Sequence, residues 1–131
     1  MKKIFLSICL LLTITLSAMA EPYTMFHEYI VQGYRKAQAG YHKEAIEDYT
    51  NAIKLDTTNN DELYILRGIS RLETKDYNGA YKDFSTAITL NPKTESGYAL
   101  RARIFIQKGD YKYALKDYSN AISNAPQKPY L

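Results

Sequence analysis

The sequence predicts an all-α fold, a solenoid of three antiparallel helix-turn-helix units, and three observations carry that prediction. The stretch TKDYNGAYKDFSTAITLNP at 74–92 returns as KGDYKYALKDYSNAISNAP at 108–126, and a fainter copy, AGYHKEAIEDYTNAIKLDT, occupies 39–57. Aligned, the copies bring Ala45, Ala80 and Ala114 to one position, at spacings of 35 and 34 residues. A period of that length marks stacked supersecondary units, none of which can bury its apolar face alone. Within each copy the apolar residues recur at helical steps, so the unit is built from helices.

The chain opens with Met1, Lys2 and Lys3, continues from Ile4 to Leu16 as a nearly unbroken apolar run, and then reads SAMAE at 17–21. A basic start, a short apolar core and small residues at Ala18 and Ala20 are the parts of a secretory signal peptide. A bilayer span needs about 20 apolar residues, and this core has 13. Residues 1–20 are therefore expected to be removed, with Glu21 as the new N-terminus, 21–131 as the domain, and no membrane span after cleavage. The Lys-Lys start and Ala-x-Ala end resemble bacterial signals, which implies export to a periplasm or secretion beyond it.

Cleavage also removes Lys2 and Lys3 and lowers the formal net charge from +3 to +1. Nucleic-acid binding then lacks the clustered basic surplus that phosphate neutralisation requires. Cys9, the one cysteine, lies in the signal core behind the bulky Ile8. The exported chain is expected to hold its fold by packing, without a disulfide.

The first helix of each unit, helix A, is read from Tyr29, Tyr64 and Tyr98, each followed four residues on by a small residue, Gly33, Gly68 or Ala102. A large ring one turn before a small residue describes a helix whose backbone comes close to its neighbour. The A–B turns carry Gly40, Lys75 and Gly109. Helix B then sets Ala45, Ala80 and Ala114 four residues before the rings Tyr49, Phe84 and Tyr118, with Ala52, Ala87 and Ala121 three further on and Ile53, Ile88 and Ile122 next. Those steps keep the set on one helical face. The linkers DTTNND at 56–61 and NPKTE at 91–95 supply stop and start residues, and Pro22, Pro92 and Pro126 fit the same boundaries. Six helices and no strand are expected, in units of about 26–60, 61–94 and 95–128.

The order aromatic, Gly, aromatic, Ala, aromatic, Ala, Pro over residues 26–128 resembles the tetratricopeptide repeat, a 34-residue helix-turn-helix unit. The second and third units match best. The first has Thr57 where Pro is usual, one extra linker residue, and His42 where the others have Tyr77 and Tyr111. The resemblance implies a right-handed superhelix whose A helices line a concave groove for an extended peptide or partner helix. Carried over position by position, the groove residues are Ile30, Tyr34, Ile65, Ile69, Leu72, Ala99, Arg103 and Ile106. The subclass that clamps a C-terminal carboxylate with Lys and Asn is not resembled, because Ile30, Tyr34, Leu66, Ser96 and Leu100 stand at those positions. A hydrophobic segment is the ligand this face implies.

Arg67 and Arg101 precede the small residue of helix A, where the family usually has an apolar side chain, and Asp48, Asp83 and Asp117 precede the ring of helix B. The constant spacing predicts structural ion pairs of Arg67 and Arg101 with Asp83 and Asp117, formed within a unit or across to the preceding one. A planar guanidinium can bind a carboxylate through two parallel hydrogen bonds. The array's end differs from its middle: Leu55 and Leu90 become Asn124, yet Tyr111, Tyr113 and Leu115 remain, and only QKPYL follows.

No catalytic constellation is present. His27 and His42 are the only imidazoles, on different helices, and the six glycines stand singly, without a phosphate loop. Thirteen tyrosines mostly occupy repeat positions where core packing accounts for them. The expected function is an exported protein-interaction module, not an enzyme, with no cofactor or metal. The alternative is a structural homodimer or higher homo-oligomer assembled through the third repeat.

Overall fold

A computed structural model describes residues 2–125, and the described residues form helices joined by short turns, with no strand. The helices are α1 (Lys2–Gln38), α2 (His42–Leu55), α3 (Asp61–Glu73), α4 (Tyr77–Leu90), α5 (Glu95–Lys108) and α6 (Tyr111–Asn124). Each packs on the helices before and after it in the chain, and α3 also touches α5. This nearest-neighbour pattern is what defines a solenoid. Pro126 and the tail to Leu131 lie outside the described residues.

Local chemistry sets the boundaries. Asn60, Asp76 and Thr94 cap α3, α4 and α5 by accepting hydrogen bonds from the backbone N–H of Glu62, Gly79 and Gly97. Such caps satisfy donors that the first helical turn leaves free. The A–B turns at Gly40, Lys75 and Gly109 all adopt left-handed backbone, with φ of 85°, 63° and 78°. Only the middle turn imposes this on a residue with a Cβ, at a cost of about 1–2 kcal/mol. Lys75→Gly is therefore expected to stabilise the protein by about 0.5–1 kcal/mol, part of the relief being offset by glycine's greater unfolded-state freedom. Thermal melts showing no gain would mean that the lysine side chain contributes there.

One boundary of the uncleaved chain differs from the sequence expectation, and the first linker lies where it was expected. Pro22 stands inside α1 instead of at a helix start, because the apolar N-terminal run and the first A helix form one continuous helix. The first inter-unit linker, which lacks the usual proline, is shaped by Asp56. Its carboxylate accepts from Thr58 N, Thr58 Oγ1 and Asn60 N at 2.6–2.8 Å. Burial resists ionisation of Asp56, but these hydrogen bonds hold its carboxyl below the ordinary value. Asn59, at φ 55°, accommodates the extra residue.

The core runs along the helix crossings. Ala45, Ala80, Ala52 and Ala87 are fully buried, as are the rings of Tyr49 and Phe84. A Cβ added at Gly33 would stand 2.8 Å from Tyr49 Cε1, and one at Gly68 would stand 2.5 Å from Phe84 Cε1. Both distances are far inside van der Waals contact, so glycine is what lets each A helix approach the ring. The third unit has Ala102 at this position, and its ring, Tyr118, is only half-buried.

Burial pushes the Tyr49 phenol up to about 12. Its folded-state pKa lies above the unfolded value of about 10, so the fold favours the neutral phenol. The associated stability is complete below about pH 10 and is lost as pH rises toward 12. Alkaline destabilisation in this window should be smaller in Tyr49→Phe. Equal losses of melting temperature in the two proteins between about pH 9 and 11.5 would assign the effect to other groups.

Candidate partner-binding face

The A helices α1, α3 and α5 are held to their B partners by charged side chains. Arg67 donates from Nε and Nη2 to the two carboxylate oxygens of Asp83, at 3.0 and 2.7 Å. Arg101 grips Asp117 in the same way, at 2.7 and 2.9 Å. Both pairs thus form within a unit. The remaining guanidinium nitrogen, Nη1, reaches the preceding B helix, donating to Thr50 Oγ1 from Arg67 and to Ser85 Oγ from Arg101, each at 3.2 Å. One side chain thereby links three helices. Asp117's hydrogen bonds hold the Arg101 guanidinium above its ordinary range, although burial opposes this.

The first unit solves the problem differently. Gln32 stands at the arginine position, and Asp48 is met instead by Lys36, one turn further along α1, at 2.7 Å. The second unit uses both positions, since Arg71 Nη1 also donates to Asp83 Oδ2 at 2.8 Å.

With the A helices fixed side by side, their shared face forms a broken trough of three clefts. The largest, about 490 Å³, lies between α1 and α3 and includes Ile30, Val31, Tyr34, Glu62 and Leu66. A second, about 320 Å³, continues along the same pair past Tyr34, Ala37, His42, Leu66, Ile69 and Glu73. A third, about 280 Å³, lies between α3 and α5 and is bounded by Leu72, Glu73, Tyr77, Arg103, Ile106 and Gln107.

Of the eight groove residues expected from sequence, six line these clefts: Ile30, Tyr34, Ile69, Leu72, Arg103 and Ile106. Ile65 does not. It is 8% exposed and belongs to the core with Ala80, Phe84, Ala87 and Ile104, because its position on α3 turns inward toward α4. Ala99 is half-buried and lines none of the three clefts. Val31, Glu73 and Tyr77 are lining residues that the sequence reading missed. Val31 neighbours Ile30, and Glu73 lies one helical turn beyond Ile69, so helical spacing alone could have included them.

The family model of the tetratricopeptide repeat matches residues 61–94 and 96–128. The chain belongs to the tetratricopeptide repeat (TPR) family. The matched residues are the second and third helix pairs, and α1 with α2 supplies a further pair of the same architecture. Among solved structures, the second TPR domain of human RPAP3, in complex with the HSP70 peptide SGPTIEEVD, is 25% identical. Its TM-score is 0.73, over 82% of this chain and 89% of that one. The Arabidopsis OM64 TPR domain is 24% identical, with a TM-score of 0.75 over 82% and 88%. The Yersinia enterocolitica type III secretion translocator chaperone SycD, in an alternative dimer, superimposes with a TM-score of 0.74 at 17% identity, over 79% and 78%. A search of the curated proteins finds no match.

Proposed function

We propose that this TPR protein is an exported adaptor of three repeats, the first divergent, that takes a mainly apolar segment of another protein along the trough formed by α1, α3 and α5. The observation that carries this reading is the placement of Tyr34, Ile69 and Ile106. They are 53%, 37% and 44% exposed, yet line successive clefts along one face. Large apolar side chains kept in water along a concave line mark a surface that gains by being covered.

The peptide held by the human RPAP3 domain supports peptide binding as the mode, but not its chemistry. That peptide, SGPTIEEVD, is acidic, whereas the charges along the trough balance, Glu62 and Glu73 against Arg35 and Arg103, and leave no basic surplus. Charge therefore gives an acidic ligand no advantage here, and the apolar lining favours Leu-, Ile- or aromatic-rich segments.

Export rests on the signal-like N-terminus. Cleavage after Ala20 would leave Glu21–Gln38 as the first helix, with Glu21 and Pro22 in its opening turn. An acidic residue there complements the helix dipole, and proline is tolerated best where no intrahelical N–H is needed. No helix among the described residues is long and apolar enough to cross a membrane. N-terminal sequencing of the protein from its own host should begin at Glu21; a start at Met1 would remove the export reading.

A photo-crosslinking side chain at Ile69, in the protein expressed in its host, tests the trough directly. Adducts to one foreign protein, mapped to an apolar segment, are the expected result. Adducts only to a second copy would instead make the trough a homo-oligomer interface.

A further inference from the structure

The outer face of α6 repeats a surface that is already an interface twice in this chain. Ile46, Thr50 and Ile53 on α2, and Tyr81, Ser85 and Ile88 on α4, occupy equivalent positions at steps of four and three. All six are half-buried, and the next A helix packs on each set. The third copy is Leu115, Ser119 and Ile122, where Leu115 is 70% and Ile122 74% exposed. The hydroxyls share a posture as well. Thr50 Oγ1 donates to the carbonyl four residues back, that of Ile46, and its lone pair accepts Arg67 Nη1. Ser119 Oγ makes the same backward bond, to Leu115 O at 2.8 Å.

The two internal copies also specify the chemistry of the helix that covers them. On α3 it is Leu63, Arg67 and Ser70; on α5 it is Gly97, Arg101 and Ile104. The outer two residues of each set are buried, and the arginine between them reaches the hydroxyl. A Cβ on Gly97 would stand 3.1 Å from Ile88 Cγ1, which shows how closely the incoming helix lies on the isoleucine.

A second copy of this chain does not supply that helix. The matching stripe on α1 is Glu28, Gln32 and Arg35, which would set charges on Leu115 and Ile122.

We propose that the α6 face is a second interaction surface, distinct from the trough. It docks an amphipathic helix of another protein that presents an arginine to Ser119 between two small or apolar residues, four positions before and three after. The incoming helix continues the solenoid in trans.

The probe is a stapled, fluorescein-labelled peptide with the sequence of residues 95–108, titrated into the purified protein and followed by anisotropy. Saturable binding is expected, weakened at least tenfold by Leu115→Glu or Ile122→Glu in the protein. An Arg101→Ala peptide should bind about tenfold more weakly, the scale of a lost charge-assisted hydrogen bond. Both protein substitutions are at exposed positions, and circular dichroism checks that helicity is kept. Ile69→Glu, in the trough, should leave the affinity unchanged, so failure here is separable from failure of the trough reading. Absence of saturable binding, indifference to Leu115→Glu, or loss of binding in Ile69→Glu would each overturn the proposal. So would a concentration-dependent dimer in sedimentation that Leu115→Glu abolishes, since the face would then belong to a second copy.

Discussion

Phe84→Ala is expected to lower the stability of the protein by about 3–5 kcal/mol. The ring has no solvent exposure and lies in a cluster with Ile65 of α3, Ala80 and Ala87 of α4, and Ile104 of α5. Truncation therefore opens a hole where three helices meet. Neighbouring side chains cannot fill it, because Ala80, Ala87 and Gly68 are the small residues that made room for the ring. Total stabilities of single domains are about 5–15 kcal/mol, so the loss is a large fraction of the whole. Urea unfolding followed by helical ellipticity measures it. A loss under about 1.5 kcal/mol would show that the helices close over the hole. Tyr118→Ala should cost less, since that ring is half-buried at the end of the array.

Asp83→Ala is expected to be comparably damaging, at about 3–5 kcal/mol. The carboxylate is 2% exposed and receives three guanidinium hydrogen bonds, two from Arg67 and one from Arg71. The Arg67 side chain is itself only 14% exposed. Removal of Asp83 leaves two like charges facing one another in a partly desolvated site, and most of the cost is that uncompensated charge. Asp117→Ala should cost less, because one arginine serves that aspartate and keeps its bond to Ser85. A double-mutant cycle with Arg67→Met separates the pair from its surroundings. A loss under about 1 kcal/mol for Asp83→Ala would place the pair with solvated surface ion pairs.

The helix pairs were legible because their signals are local. A ring four residues after a small side chain, repeated at a fixed period, identifies a helical face whatever that face touches. The A–B turns were legible for a similar reason, though Lys75 shows the shape of the turn prevailing over residue preference. Pro22 shows how such reading depends on processing: it lies inside α1 of the uncleaved chain, and loss of residues 1–20 would place it in the helix's opening turn. Proline restricts its own backbone and its neighbour's, and it suits a helix start only where no preceding turn needs its N–H.

The candidate site was legible only to the resolution of a helix face. Ile65 and Ile69 are one turn apart on α3 and look equivalent in sequence, yet the first is 8% exposed in the core and the second 37% exposed in the trough. The angle at which α3 crosses α4 separates them, and that angle is a property of packed helices, not of either residue. The arginines follow the same logic. Constant spacing announced an Arg–Asp pair, but its assignment within a unit, and the reach of the third nitrogen to Thr50 or Ser85, required the helices to be placed in space. The helices, their number and their small-to-large packing order could be read before any coordinates, because these follow from spacing along one chain. Tertiary structure alone decided which apolar residues are core, which line the trough and which stand open at the end of α6, because burial depends on the neighbour that arrives and on whether one arrives at all.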